Sequence, residues 1–409
     1  MKINKVAFYK TIFILVLLFQ IYIPSFKINV LFQFVLLVLF VLFEKPKIPT
    51  SFFKITAPIF IVFFLGFLGF LFYNNPIAQA LKDVFHFIKP IQGMFIGFLF
   101  FQIIDNKEKF FKIIVTTGVL SAIIHLFIIV VFTDFLSGNV HTIRQYTKDN
   151  FLELFAVFFL IFYPIYYKKK LFDSALKRKT FLLLLLISCF LYFSRTMIVA
   201  SIILLLSVYG YTKITIKSIK TVSIIFLFVI LLYTYLFSVK IDRNAKGYEA
   251  FLYKIKIAPS EIFKTKVDRE NHKDLWDHWR GYEANRAIAL MDTKPSSYLF
   301  GVGHGSLVDL KFKAPLSGKK DGMRYISELH NGYPYVLYKT GVFGLLLYVF
   351  FLFSLYNKIH YNATFEKILV SAIGLFYLFT TITITGIYNT QDTIIFILGA
   401  LIFLSDKRN

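Results

Sequence analysis

The chain places a histidine where a membrane helix alone would not need one. In SELHNGYPYVLYKTGVFG, residues 327–344, the polar corner His330-Asn331-Gly332 runs straight into an apolar segment that continues LLLYVFFLF. Asn331 can cap a helix, and Pro334 suits a first turn, where an amide proton is dispensable. Neither residue accounts for His330. At a helix N-terminus the partial positive charge favours neutral imidazole and any nearby anion, and neutral imidazole is a base.

Other positions could serve an anion. Arg195, in LYFSRTMIVAS, stands between two apolar stretches at a depth where an unpaired charge is expensive. It either snorkels to head-group phosphate or clamps an anion in a cavity. Arg280 and Arg286 in DHWRGYEANR are rivals for a loop arginine, with Glu283 or Glu249 as possible partners for Arg280. Gly301, Gly303 and Gly305 in FGVGHGS could bring backbone close to a ligand, but the lysine and helix of a phosphate loop are missing, so a tight turn is expected. Gly341 and Gly344 predict close helix packing, and Lys339 either snorkels or meets an internal anion. HKDLWDH, 272–278, mixes His and Asp at a spacing that is weak evidence for a metal, and the sequence offers no Asp-x-Asp pair to hold one. No metal or other cofactor is expected.

Composition dictates what must position these groups. Of 409 residues, 57% are hydrophobic and 52 are Phe, more large apolar side chains than a soluble interior can hide. Apolar stretches of membrane-spanning length recur twelve times, nine before residue 239 and three after 332. The expected fold is all-α and polytopic, with about twelve transmembrane helices. Residues 1–238 hold spans one to nine, 239–332 form one large, partly helical loop, and 333–409 hold spans ten to twelve.

Charge orients this arrangement. With the N-terminus inside, the inner segments hold 22 basic and 6 acidic residues, from Lys2 and Lys5 through Lys168, Lys169 and Lys170 to Lys407 and Arg408. This asymmetry predicts both termini in the cytoplasm and the large loop outside. It also explains the net charge of +23 without nucleic acid. MKINK followed by an apolar run lacks a small-residue cleavage site, so an uncleaved first helix is expected. Cys189, the one cysteine, excludes an intramolecular disulfide.

In the loop, YEAFLYKIKIAPSEIFKTKV and WRGYEANRAIALMDTKP have helical periodicity and suggest short helices on the outer membrane surface. A loop of that length without a function is uncommon.

Together these elements resemble the O-antigen ligase and O-antigen polymerase superfamily. The resemblance rests on the SRT arginine, the loop arginine, the FGVGHG turn and the HN-x-Y element that carries Asn331 and Tyr333 and ends in Gly341 and Gly344. It covers about residues 190–350. It implies a metal-independent glycosyltransferase of the bacterial inner membrane, acting at the periplasmic face on a glycan carried by undecaprenyl diphosphate. The acceptor would be lipid A-core for a ligase, or a second lipid-linked glycan for a polymerase. By resemblance His330 is the base, Arg195 the membrane-edge arginine for diphosphate, and Arg280 the loop arginine. The tryptophans Trp276 and Trp279 precede Arg280 rather than follow it, which keeps Arg286 in play. A flippase of lipid-linked oligosaccharide is the competing class, with Lys82, Asp83, His86 and Lys89 as lining for a route. Related halves, which such a transporter would be expected to have, are not evident in the sequence.

Overall fold

The computed structural model describes residues 4–134, 143–144, 146–243, 247–316 and 322–406. Lys2, Lys407 and Arg408, counted above among the inner charges, lie outside the described residues.

Among the described residues, twelve helices overlap the twelve apolar stretches. They are α1 (Lys5–Tyr22), α2 (Phe26–Glu44), α3 (Thr50–Tyr73), α4 (Ile77–Ile104), α5 (Lys107–Phe132), α6 (Phe151–Tyr167), α7 (Ala175–Leu191), α8 (Arg195–Val208) and α9 (Ile216–Ser238), followed after the loop by α14 (Gly332–Tyr356), α15 (Phe365–Ile384) and α16 (Ile394–Asp406). Eight of these, α1 to α5, α9, α14 and α15, are long and apolar enough to cross a membrane, whereas α6, α8 and α16 are shorter apolar helices. Side-chain caps define many starts: Asn106, Asn150, Ser174, Ser194, Asn331 and Thr364 each accept a hydrogen bond from the first turn.

Contacts group several of the helix ends at two opposite sides. At one end Tyr22 of α1 donates to Ser121 O of α5 (2.8 Å), and Gln391, just before α16, donates to Ile21 O (3.2 Å). At the other, Lys5 pairs with Glu44 (3.0 Å), Lys107 with Glu366 (2.8 Å), and Tyr356 donates to Thr212 O (2.7 Å). The long loop belongs to the first end. It contains α10 (Tyr248–Phe263), α11 (His272–Asp277), α12 (Trp279–Asp292) and α13 (Ser297–Phe300).

The loop also corrects the all-α expectation. Val308–Ala314 (β1) and Met323–Ile326 (β2) pair antiparallel, with Val308 opposite Ile326 and Asp309 opposite Tyr325. VDLKFKA alternates apolar and charged residues, and Val308, Leu310 and Ala314 are buried on one face. That period of two is the strand signal the helical reading passed over.

Residues 301–305 are more than a surface turn. They insert between α3 and α14, where His304 N donates to Gly66 O of α3 (2.8 Å). Directly opposite, α14 breaks at Gly341, whose φ of 69° and ψ of −172° are not helical. The break would orphan carbonyls in an apolar setting, but Val302 N donates to Tyr338 O (2.7 Å) and Gly303 N to Lys339 O (3.1 Å). The two glycine motifs therefore answer one another. A Cβ on Gly341 would lie 2.2 Å from Leu299 O, and one on Gly301 would lie 2.3 Å from Lys339 C. Gly301→Ala and Gly341→Ala are each expected to destabilise the protein by at least about 1–3 kcal/mol from backbone strain alone, measurable as a lowered melting temperature in detergent.

Candidate active site

Gly332 opens α14, and Asn331 caps it by accepting from Tyr333 N (3.1 Å). Tyr333 in turn donates its hydroxyl to Leu378 O of α15 (2.8 Å), which fixes the first turn. His330 thus stands at a held position just before the cap. Its side chain is 54% exposed, and it lines a cavity of about 640 Å³ with Arg144, Lys254, Tyr388 and Gln391.

The partner of His330 is Glu283, a residue weighed above only as a mate for Arg280. Glu283 is 1% exposed and accepts both from His330 N (2.9 Å) and from His330 Nδ1 (3.0 Å). A carboxylate can only accept here, so Nδ1 carries a proton, and in the neutral imidazole the lone pair is on Nε2. Arg280 lies one helical turn before Glu283 on α12. Its guanidinium pairs with Glu261 of α10, and its Nε donates to Thr383 O (3.0 Å).

Arg195 meets the same carboxylate. Its Nη2 is 3.0 Å from Glu261 Oε2, and its Nη1 donates to Lys254 O. Two arginines far apart in sequence therefore share one glutamate, and they face a second cavity of about 370 Å³ lined also by Arg144, Arg243 and Lys254. The two cavities adjoin through Arg144 and Lys254, which line both. Among the described residues Lys254 forms no ion pair. Burial, and after it the charges of Arg144 and Arg195, hold its ammonium below the usual lysine range. Burial and then Arg195 push Arg280 down to about 10. Several cationic groups gathered on one cavity wall favour an anion there.

Arg286 is directed elsewhere. Its Nε donates to Asp309 O of β1 (2.9 Å), so it supports the loop fold rather than facing Arg195. Gly301 and Gly303 act through the helix break described above, at a distance from the imidazole along α14. Lys339 and Asp83 form a pair at 2.6 Å, both fully buried, and Asp83 also accepts from Gly305 N (2.7 Å). Lys82 and His86 both meet Glu328 at 2.9 Å, and Lys89 donates to Asn389 O (2.6 Å). The charges proposed as a transport route thus tie α4 to the lip of α14 and to the segment before α16. In HKDLWDH, Asp277 pairs with Arg243 (2.8 Å), Asp274 with Lys264 and His278, and His272 accepts from Trp276 Nε1 (2.8 Å).

Residues 180–349 match the O-antigen ligase family. This stretch of the chain is similar to that family. The match spans Arg195, Arg280, Glu283 and His330, so the whole dyad and both arginines fall inside the O-antigen ligase region. No curated protein matches the chain. The match supports a membrane enzyme of the O-antigen ligase and polymerase type, in keeping with the apolar helices.

Three participants escaped the sequence reading. Glu261 and Glu283 carry no signal in isolation, because a glutamate in a polar loop is ordinarily solvated. Arg144 could have been found. It lies in an outer connection, the same anomaly that drew attention to Arg195, and it pairs with Asp149 (2.8 Å), whose other oxygen accepts from Ser194 (2.6 Å).

Proposed function

We propose that the protein transfers a glycan from undecaprenyl diphosphate to an acceptor hydroxyl at the periplasmic face of the bacterial inner membrane. The single observation that carries the reading is the Glu283–His330 dyad beside a cavity lined by Arg195 and Arg280. In this mechanism the acceptor hydroxyl gives its proton to His330 Nε2 while its oxygen attacks the anomeric carbon. The bond from that carbon to the diphosphate oxygen breaks, and the leaving group departs with the electron pair. Arg195 and Arg280, which both pair with Glu261, turn to the departing diphosphate and stabilise its charge. Glu283 holds the Nδ1–H tautomer and stabilises the imidazolium that forms. A single displacement of this kind inverts the anomeric centre.

Twelve spans, cytoplasmic termini and a periplasmic loop of residues 239–332 complete the proposed topology. The basic residues at the end opposite the loop, such as Lys5, Lys45, Lys107, Lys168 and Lys213, support that orientation. Ligase-type transfer to lipid A-core is the preferred form, and joining of two lipid-linked units is the alternative. The cell's glycan phenotype separates them. Loss of the gene strands full-length chains on the carrier lipid in the first case and leaves single repeats in the second.

Purified protein in detergent, given lipid-linked glycan and acceptor without any gradient, is expected to form product. A flippase would form none, and that result would remove the enzymatic reading. In the same assay Arg195→Lys is expected to lower kcat about tenfold, because charge remains but the bidentate fork is lost, whereas Arg195→Ala should cost about 10²- to 10³-fold.

A further inference from the structure

Beside the chamber of His330 lies a third cavity, of about 330 Å³, which shares Arg144, Thr147, Lys148, Asp149 and Gln391 with it. The ends of α1, α5 and α7 and the start of α6 form its walls, contributing Tyr22, His125, Tyr192 and Asn150. None of these groups takes part in the mechanism above.

Its inner wall rests on Glu153, which is fully buried and accepts from Ser121 (2.9 Å), Asn150 (3.0 Å), Tyr192 (3.1 Å) and Ser188. With Ser188 donating to an ionised Glu153, its oxygen is left to accept from His125 Nδ1 (2.7 Å). The proton of His125 is therefore on Nδ1, and Nε2 is a bare acceptor. That ring is 1% exposed and stacks flat on Tyr192, with centroids 3.8 Å apart. Nε2 has no partner among the described residues. A buried polar atom left in this state on a cavity wall calls for a donor from the cavity.

We propose that this cavity is a sugar subsite, in which a hydroxyl of one monosaccharide unit donates to His125 Nε2. Tyrosine faces, the Asn150 and Gln391 amides and a bare imidazole acceptor suit a neutral polyhydroxylated ring, and the volume falls in the range of about 300–1,000 Å³ of small-molecule pockets. The Arg144–Asp149 pair lies between this cavity and the cationic one, so a unit bound here sits next to the reaction chamber without displacing the diphosphate. The assignment rests on the glycan-transfer reading of that chamber.

The test is steady-state transfer by purified protein, using donor and acceptor glycolipids extracted from cells that lack the gene. His125→Phe keeps the stack and removes the acceptor, whereas His125→Gln restores an acceptor oxygen. Ile21→Trp fills the cavity from its rim without touching Glu153, and so covers the case in which His125→Phe does not fold. His125→Phe and Ile21→Trp are expected to raise KM about tenfold for one substrate, with kcat within about twofold, and His125→Gln to recover most of the loss. A rise for the donor identifies a donor sugar, and a rise for the acceptor an acceptor sugar. If His330→Ala abolishes transfer while both KM values stay at wild type in the folded variants, the cavity holds water only and the subsite is overturned. If His330→Ala transfers at the wild-type rate, the chamber reading fails and the subsite falls with it.

Discussion

Exchanging Glu283 for glutamine is expected to lower kcat by about 10²- to 10⁴-fold, as much as removing His330 itself, with little change in melting temperature. The carboxylate of Glu283 receives both the backbone N–H and Nδ1–H of His330. An amide of the same shape can offer an N–H toward Nδ1, which moves the imidazole proton to Nε2 and turns the base away from its task. His330→Ala removes the base outright and should lose a similar factor. Circular dichroism and thermal melting in detergent would establish that both variants fold. Transfer by Glu283→Gln within threefold of wild type would show that the glutamate does not set the tautomer.

Breaking the Asp83–Lys339 pair should have the largest effect on stability. Both side chains are fully buried at 2.6 Å, and Lys339 also donates to Ser306 O (2.6 Å). Lys339→Met leaves Asp83 charged, buried and without its cation, a loss of about 3–5 kcal/mol. The double variant Asp83→Leu with Lys339→Met should recover much of that loss, because no lone charge remains. Melting temperatures of the two single variants and the double variant measure the coupling. A single variant as stable as wild type would contradict the pairing.

Much of the scaffold was legible because lipid imposes one rule on every apolar stretch. Helices overlap all twelve windows, eight of them long and apolar enough to cross a membrane, and Asn331 caps α14 through its side-chain oxygen. The loop was only half legible. Its helical segments were found at α10 and α12, while the alternation of VDLKFKA was overlooked. Ion pairing was the least legible. Glu283 was weighed as a mate for Arg280 on local spacing, yet Arg280 found Glu261 and Glu283 found His330. Local spacing says which residues share a helix face, and it is silent on what a distant segment brings to that face. Arg280 and Arg286 part company in the same way: one meets Glu261 of α10 and the other Asp309 O of β1.

The interruption at Gly341 divides α14 mechanically. Its outer piece is stapled to residues 302 and 303, while its inner piece rides with the bundle. A joint so closely packed, with Leu299 O 2.2 Å from where a Cβ of Gly341 would lie, couples the loop that carries residues 299–303 to the helix that starts beside His330.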